Sequence, residues 1–445
     1  MYYSKRLLRI VVFLCAGGAW LNGAFAEDPV PERAALQPIR FEPGFYPLMP
    51  WDPQHGWKEP HVERVNGLES IAACGFTMAG FVHASDLPLC EKLGLKAILA
   101  PPSSKEPWFG PWRKLSDEQV EQRVRAMIEL GGDSPALVGY FLTDEPGTPT
   151  FAALGKAVAA VKKYAPGKLA YINLFPSYAT IGAPDKSQLG AASFTEYLER
   201  FVNEVQPQFL SYDNYKVQQS DDLQSQRDAE IYFRDLVEVR RVAAKYGLPF
   251  WNIVSSNQIR KFTTPPSPAN LMLQAYTTLA AGGRGLSWYT YYGGGYAYAP
   301  IDKDGHKTAT WHALRMVNHH VRTLGPILNR MNSTGVYVTS PSPSRGLPEL
   351  PGQLVRAVVS KASVRGRSEI SPPIMVGEFT GEDGADYVML VNLSVERSAN
   401  VTFETVRTYN GKQVFSADDG RLQPFNEEHG LWLPAGQGAL VKLSS

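Results

Sequence analysis

Between Phe41 and Leu328 short apolar runs alternate with amphipathic stretches. Eight runs stand out: Phe45 to Met49, Phe76 to Val82, Ala97 to Ala100, Leu137 to Leu142, Leu169 to Leu174, Phe209 to Tyr212, Phe250 to Val254, and Gly285 to Tyr291. Each is rich in β-branched or aromatic residues and bounded by turn residues, which predicts strands. Near-continuous apolarity suits parallel strands covered on both faces. The stretches between them carry helix signals. Ser116-x-x-Gln119 and Ser193-x-x-Glu196 are capping boxes. Pro149 suits the first turn of a helix running to Tyr164, and Leu236, Val237, Val242 and Ala243 form an apolar stripe. A basic last turn and Gly247 stop that second helix before Phe250. Eight strand–helix units predict an α/β fold, a closed (β/α)₈ barrel rather than an open doubly wound sheet. No glycine-rich phosphate loop follows the first run, which argues against a dinucleotide fold.

After Leu328 the pattern changes. A stretch broken by Pro341, Pro343, Pro348 and Pro351 leads into period-two alternation at Ile374 to Thr380, Asp386 to Leu393, Ala399 to Glu404 and Gly438 to Leu443. Asp383-Gly384 and Asn410-Gly411 read as hairpin turns. A small C-terminal β-sandwich is expected, with Trp432 in its core. The expected organisation is residues 1–26 a signal peptide, 27–40 a lead-in, 41–328 the barrel, and 329–445 a linker and the sandwich.

Composition narrows the function. The 445 residues carry 44 basic and 43 acidic side chains, a net charge of +1. That balance offers no basic face for nucleic acid. Lys5, Arg6 and Arg9, then an apolar stretch to Ala24 and Ala24-Phe25-Ala26, make an export signal, so a secreted or periplasmic protein is expected. No later segment is long and apolar enough to span a bilayer, so no stable membrane insertion is expected after cleavage. Beyond the leader only Cys74 and Cys90 remain; they either pair or sit as buried thiols. They form no zinc pattern, and no metal or cofactor is implied. The oligomeric state is not encoded in any pattern here.

In such barrels the reactive groups project from the C-terminal ends of the strands. The first run is followed by Trp51 and Asp52, with His55 and Trp57 beyond, and the second by His83. The fourth ends in Asp144-Glu145-Pro146, the fifth in Asn173, and the sixth in Ser211-Tyr212-Asp213-Asn214-Tyr215. The seventh offers Asn252 and then Ser255 to Gln258, and the eighth Trp288-Tyr289. Carboxylates, aromatics and amides without a His/Cys cluster suit a carbohydrate substrate. One acid protonates the leaving oxygen, a second group attacks or activates water, aromatic faces pack on sugar rings, and amides bind hydroxyls. Glu145 is the expected general acid, with Asp213 and Asp144 as further catalytic candidates. Trp51, His83, Asn173, Tyr212, Tyr215, Asn252, Trp288 and Tyr289 are the expected substrate-binding residues, with Trp288 the preferred stacking platform. His319-His320 is expected at the surface of the last helix.

Gly139-Tyr-Phe-Leu-Thr-Asp-Glu-Pro146, Phe209-Leu-Ser-Tyr-Asp-Asn-Tyr215 and the closing Leu431 to Leu443 resemble the (β/α)₈ glycoside hydrolases, and loosely their β-galactosidase clan. The resemblance implies an O-glycosyl hydrolase with its acid on the fourth strand. Two departures stand out. The clan's Asn-Glu is Asp144-Glu145 here, and the clan's seventh-strand nucleophile has no counterpart in Trp251 to Gln258. Three alternatives follow. Asp213 supplies the second carboxylate, and its distance from Glu145 then decides between retention and inversion. Or Asp144-Glu145, similar to the pair of the β-hexosaminidase families, implies substrate assistance with Tyr215 or Tyr212. Or the barrel is a non-catalytic carbohydrate-binding scaffold. A uronic-acid lyase would need a cationic cleft, for which Arg284 and Lys216 are the candidates.

Overall fold

The computed structural model describes residues 36–51, 64–100, 112–179, 187–216, 227–261, 263–340, 342, 347–362 and 369–444. The expected signal peptide, lead-in residues 27–35, and Asp52, His55 and Trp57 lie outside the described residues.

Eight parallel strands form the barrel wall: β1 (Leu48–Trp51), β2 (Met78–Val82), β3 (Lys96–Leu99), β4 (Leu137–Asp144), β5 (Leu169–Leu174), β6 (Leu210–Asp213), β7 (Phe250–Ser255) and β8 (Gly285–Tyr289). Around them lie α1 (Leu68–Ala73), α2 (Leu87–Lys92), α3 (Asp117–Gly131), α4 (Phe151–Tyr164), α5 (Phe194–Val205), α6 (Arg227–Tyr246), α7 (Pro268–Ala280) and α8 (Ala309–Leu328). Hydrogen bonding runs β1-β8-β7-β6-β5-β4-β3-β2. The seam falls between β1 and β2 because Pro50 has no N–H to give and its carbonyl lies against Gly80, where a Cβ would come within 2.5 Å. Thr77 holds the seam instead. Its N–H donates to Leu48 O (3.0 Å) and its Oγ1 accepts from Leu48 N–H (2.9 Å).

Helix ends follow their local signals. Ser116 Oγ accepts from Gln119 N–H (3.3 Å) while Gln119 Oε1 accepts from Ser116 N–H (2.9 Å). Ser193 Oγ caps α5 at Glu196 N–H (3.1 Å), but Glu196 reaches one residue further back, to Ala192 N–H (3.0 Å). Gly247, at φ +65°, ends α6.

Alternation along each strand sorts side chains into two cores. Met49, Trp51, Phe81, Ile98, Phe141, Tyr171, Trp251 and Ile253 fill the barrel interior. Leu48, Leu142, Ile172, Tyr212, Leu286 and Trp288 face the helices. Phe41 and Phe45 pack beneath the interior cluster, and Ile39 N–H donates to Gln208 O (3.0 Å).

Antiparallel strands follow α8: β9 (Met331–Val338), β10 (Val355–Lys361), β11 (Ile374–Gly381), β12 (Asp386–Asn392), β13 (Ala399–Thr405), β14 (Gly411–Phe415), β15 (Leu422–Pro424), β16 (Leu431–Leu433) and β17 (Gly438–Ser444). They form a three-stranded sheet, β10-β13-β16, and a six-stranded sheet, β15-β14-β17-β12-β11-β9. Ile374, Val376, Val388, Leu390, Val401 and Val441 fill the space between the sheets. The other face of the larger sheet, with Met375, Met389 and Leu440, joins the core that contains the barrel helices. This covering explains why α7 is buried on every side from Asn270 to Ala280, its polar residues Gln274 and Thr278 being bonded to Ser255 and Asn252 of β7 rather than exposed.

Two sandwich expectations are corrected. Asn410-Gly411 is not a hairpin turn, because it carries the chain from β13 in one sheet to β14 in the other. Trp432 is 63% exposed, since Leu433 takes the inward position of β16. In the barrel, Cys74 and Cys90 are free, buried thiols. His319 is exposed, but His320 is half-buried, its Nδ1 paired with Tyr276 OH at 2.9 Å. Among the described residues no helix is long and apolar enough to cross a membrane.

Candidate active site

β4 places the two adjacent acids through a bulge. Tyr140 and Phe141 pair with Ala170 and Tyr171, but Thr143 and Asp144 pair with Ile172 and Asn173, so Leu142 is one residue extra. Simple alternation from the inward Phe141 would turn Asp144 toward the helices. The extra residue reverses that parity and sets Asp144 beside the inward-facing Asn173. Glu145 follows with φ +43°, a left-handed conformation that costs a non-glycine residue energy. Its N–H donates to Asn173 O (2.9 Å), which holds the turn.

Asn173 is the hub. Its Nδ2 donates to Asp144 Oδ1 and to Asp213 Oδ1, both at 3.0 Å. Its Oδ1 accepts from Ser211 Oγ (3.1 Å), which pairs with Tyr171 OH (2.8 Å). The carboxyl groups of Glu145 and Asp213 are near enough for each to shift the other's titration. Asp213 is 2% exposed, whereas Asp144 and Glu145 are only partly buried.

Three carboxyls in this space cannot all ionise cheaply. Burial is the first cause and raises all three. The charge of Asp213 raises Glu145 further, and that of Asp144 raises Asp213. Asp144 is pushed up to about 8 by burial and then by Glu145, against the lowering effect of Asn173. Glu145 and Asp213 therefore titrate as a pair that holds a proton to higher pH than an ordinary carboxylate.

The surrounding loops are braced from behind. Tyr197 OH donates to Pro146 O (2.8 Å) and accepts from Phe175 N–H (3.3 Å), tying together the turns after β4 and β5. Asp235 on α6 is buried, and its Oδ2 accepts from Ser177 N–H (3.0 Å) and Asn214 Nδ2 (2.9 Å). Burial lifts Asp235 to about 6 despite those bonds. Tyr215 and Tyr289 pack against each other at a tilt at the ends of β6 and β8, with centroids 4.9 Å apart and planes 31° apart. Tyr289 OH pairs with Tyr296 OH at 2.7 Å.

The structure thus brings together Asp144, Glu145, Asp213, Asn173, Tyr215 and Tyr289. Four expected binding residues are placed elsewhere. Trp288 is 0% exposed and donates Nε1–H to Asn318 on α8 (3.0 Å), which corrects the stacking-platform expectation. Tyr212 is buried against the helices, and Asn252 donates to Thr278 Oγ1 on α7 (2.9 Å). Each of these three sits one residue out of phase with the inward positions. Trp51 is inward but packed against Phe81, Phe141 and Tyr171, so no ring face is open. His83 follows β2, its N–H bound to Asp86 Oδ2 (3.0 Å) and its Nε2 buried without a partner among the described residues. At the end of β7 stands Asn257, buried, its amide likewise unpaired among the described residues. Arg284 precedes β8 and donates to Leu328 O and Met331 O, so it lies at the opposite end from the carboxyls.

Sequence reasoning missed Tyr171, Tyr178, Tyr197 and Asp235, and gave Ser211 no role. Ser211 and Tyr171 were legible in principle, each two residues before an expected site residue on its strand. Tyr178 follows β5 and lies near Asp213 and Glu145, whose charges add to the burial that raises its hydroxyl. Lys216 sits over its ring at 5.3 Å. Among the described residues no group of three or more His, Cys, Asp or Glu side chains is arranged to hold a metal ion.

No protein-family model and no curated protein matches the sequence. Solved structures do match the fold. A β-galactosidase from Bacillus circulans sp. alkalophilus aligns with TM-score 0.58 at 9% identity, covering 90% of this chain and 99% of that one. A catalytic mutant of a GH42 β-galactosidase from G. stearothermophilus gives 0.55 at 10% identity over 90% and 98%. A family 5 glycoside hydrolase from Bacteroides vulgatus gives 0.50 at 13% identity over 90% of each chain. The chain therefore has the fold of the TIM-barrel glycoside hydrolases, an eight-stranded parallel barrel followed by a β-sandwich.

Proposed function

We propose that the protein is an exported glycoside hydrolase that cleaves O-glycosidic bonds of an oligo- or polysaccharide, with Glu145 as general acid. The carrying observation is the cluster of Asp144, Glu145 and Asp213 gathered around Asn173 at the C-terminal mouth of the barrel, in which Glu145 and Asp213 are desolvated and electrostatically coupled. A glycosidase acid must hold its proton near neutral pH and release it to the leaving oxygen. Asp213, buried beneath the partly exposed Glu145, supplies the repulsion that keeps that proton on. Asp213 is buried, its Oδ1 is taken up by Asn173, and burial holds its proton well above the usual carboxylate range, which leaves little of it ionised to attack. Asp213 therefore fits the role of proton-tuning partner better than that of direct nucleophile. Tyr215 and Tyr289 form the aromatic wall against which a sugar would pack. The export signal and the carbohydrate substrate belong to the same proposal.

A second reading has its own observation. Asp144 is partly exposed beside Glu145 and oriented by Asn173. That arrangement suits substrate assistance, in which Asp144 orients a 2-acetamido group as the nucleophile and Tyr215 steadies it.

The test is Glu145→Gln, assayed on unactivated oligosaccharides and on nitrophenyl glycosides with and without a 2-acetamido group. Loss of a general acid costs about 10²–10⁴ in kcat on the unactivated bonds and less on the nitrophenyl leaving group, with sugar binding kept. Turnover confined to 2-acetamido substrates and abolished by Asp144→Asn selects the second reading. Sugar binding without turnover by the wild type would overturn both and leave a carbohydrate-binding barrel.

A further inference from the structure

At the other end of the barrel, under the N-terminal ends of β1, β7 and β8, a cavity of about 650 Å³ opens between the barrel floor and the start of the sandwich. Its lining includes four arginines, Arg40, Arg240, Arg284 and Arg330, and one acidic residue, Glu382. Trp251 contributes to its apolar floor.

Against these arginines, Glu382 helps hold the charge of Arg284 from beyond salt-bridge distance. Arg284 donates to the carbonyls of Leu328 and Met331. Arg240 donates to Ser333, from Nε to Oγ at 3.2 Å and from Nη2 to Oγ at 3.0 Å and to O at 3.4 Å. These partners are neutral dipoles. Among the described residues no carboxylate lies within salt-bridge distance of any of the four. Burial lowers the pKa of both Arg240 and Arg284, the expected mark of a desolvated cation. Arg40 and Arg330 are exposed at the rim. A buried cation normally has an anion beside it, and planar guanidinium forks match oxyanions in pairs. The volume falls within the ~300–1,000 Å³ of small-molecule sites.

We propose that this cavity is a binding site for a small, multiply charged oxyanion, a phosphorylated or polycarboxylated molecule, separate from the candidate active site. Arg240 and Arg284 form the fixed base and Arg40 and Arg330 the outer clamp. Because the cavity reaches from the barrel floor to Arg330, Ser333 and Glu382, a bound anion would also tie the two domains together.

The experiment is calorimetric titration of the full chain with inorganic pyrophosphate and, separately, with citrate, at low and physiological salt. Binding of either, weakening as salt rises, is expected. Arg40→Ala/Arg330→Ala should weaken it by about tenfold or more, since two charge-assisted contacts are lost. Pyrophosphate alone binding points to phosphorylated ligands, and citrate alone to carboxylates. The same titration on Glu145→Gln should match wild type, so the site is tested whether or not the hydrolase reading stands. Absence of binding by both anions, or equal binding by the rim variant, overturns the proposal. Far-ultraviolet circular dichroism checks that the variant is folded, and the single substitutions replace it if it is not.

Discussion

Asn173 shows how much one side chain can govern. By donating to Asp144 and Asp213 it favours their charged forms against burial and repulsion. Asn173→Ala removes that help, so both groups should need higher pH to ionise. The acid limb of a kcat/KM–pH profile is expected to move up by about one unit, and an unmoved profile would show that Asn173 only packs. The same carboxyls set a stability trend. Their folded pKa values are raised, so their contribution is fully present below the unfolded values near ~4 and is lost as pH rises through the folded ones. For Asp144 that upper limit is about 8. Stability should therefore fall between mildly acid and alkaline pH, and Asp213→Asn should raise Tm at pH 9 by roughly 3 °C or more. Scans of both proteins across pH decide it, an unchanged Tm at pH 9 counting against the shared proton. Cys74 and Cys90 give a simpler check. Burial pushes both thiols up, Cys90 to about 12. Neither should be labelled within minutes by a thiol reagent in the native protein, and both should be labelled in denaturant.

At the scale of elements, the contact between α7 and the larger sheet is the tightest joint. A Cβ on Gly377 of β11 would lie 2.1 Å from Ala280 O at the end of α7. One on Gly436, at φ +72°, would lie 2.0 Å from Ala269 O near its start. Backbone cannot yield as a flexible side chain does, so Gly377→Ala should cost about 1–3 kcal/mol. Chemical denaturation would measure it, and a neutral result would mean that the sheet slides on the helix. Glu378, next to Gly377, faces the opposite way. Its carboxylate accepts from the N–H groups of Gln353, Leu354 and Val355 at 2.8–2.9 Å, fixing the approach to β10.

For the whole molecule, that joint makes barrel and sandwich interdependent. The outer face of α7 finds its apolar partners on β11, β12 and β17 rather than in the barrel. A chain ending at residue 330 would expose that face and is expected to be insoluble. The full chain should unfold in one calorimetric transition, and two separated transitions would contradict the shared core.

Strand and helix identity was legible because local physics sets it. Apolar runs bounded by turn residues mark all eight barrel strands, and Ser116, Ser193 and Gly247 act within one helical turn of themselves. The acids at the ends of β4 and β6 were visible for the same reason, since strand ends in this fold face the mouth. Which neighbours would face it was not visible. Period-two alternation needs an absolute phase, and only pairing with the adjacent strand supplies one. Trp288, Tyr212 and Asn252 were lost to the helix layer by one residue, while Asp144 was recovered by the extra residue at Leu142. The coupling between Glu145 and Asp213, 68 positions apart, and the grouping of four arginines under the barrel floor exist only once the wall has closed. Long-range proximity decided both, because no local pattern records which distant charges a closed sheet will bring together.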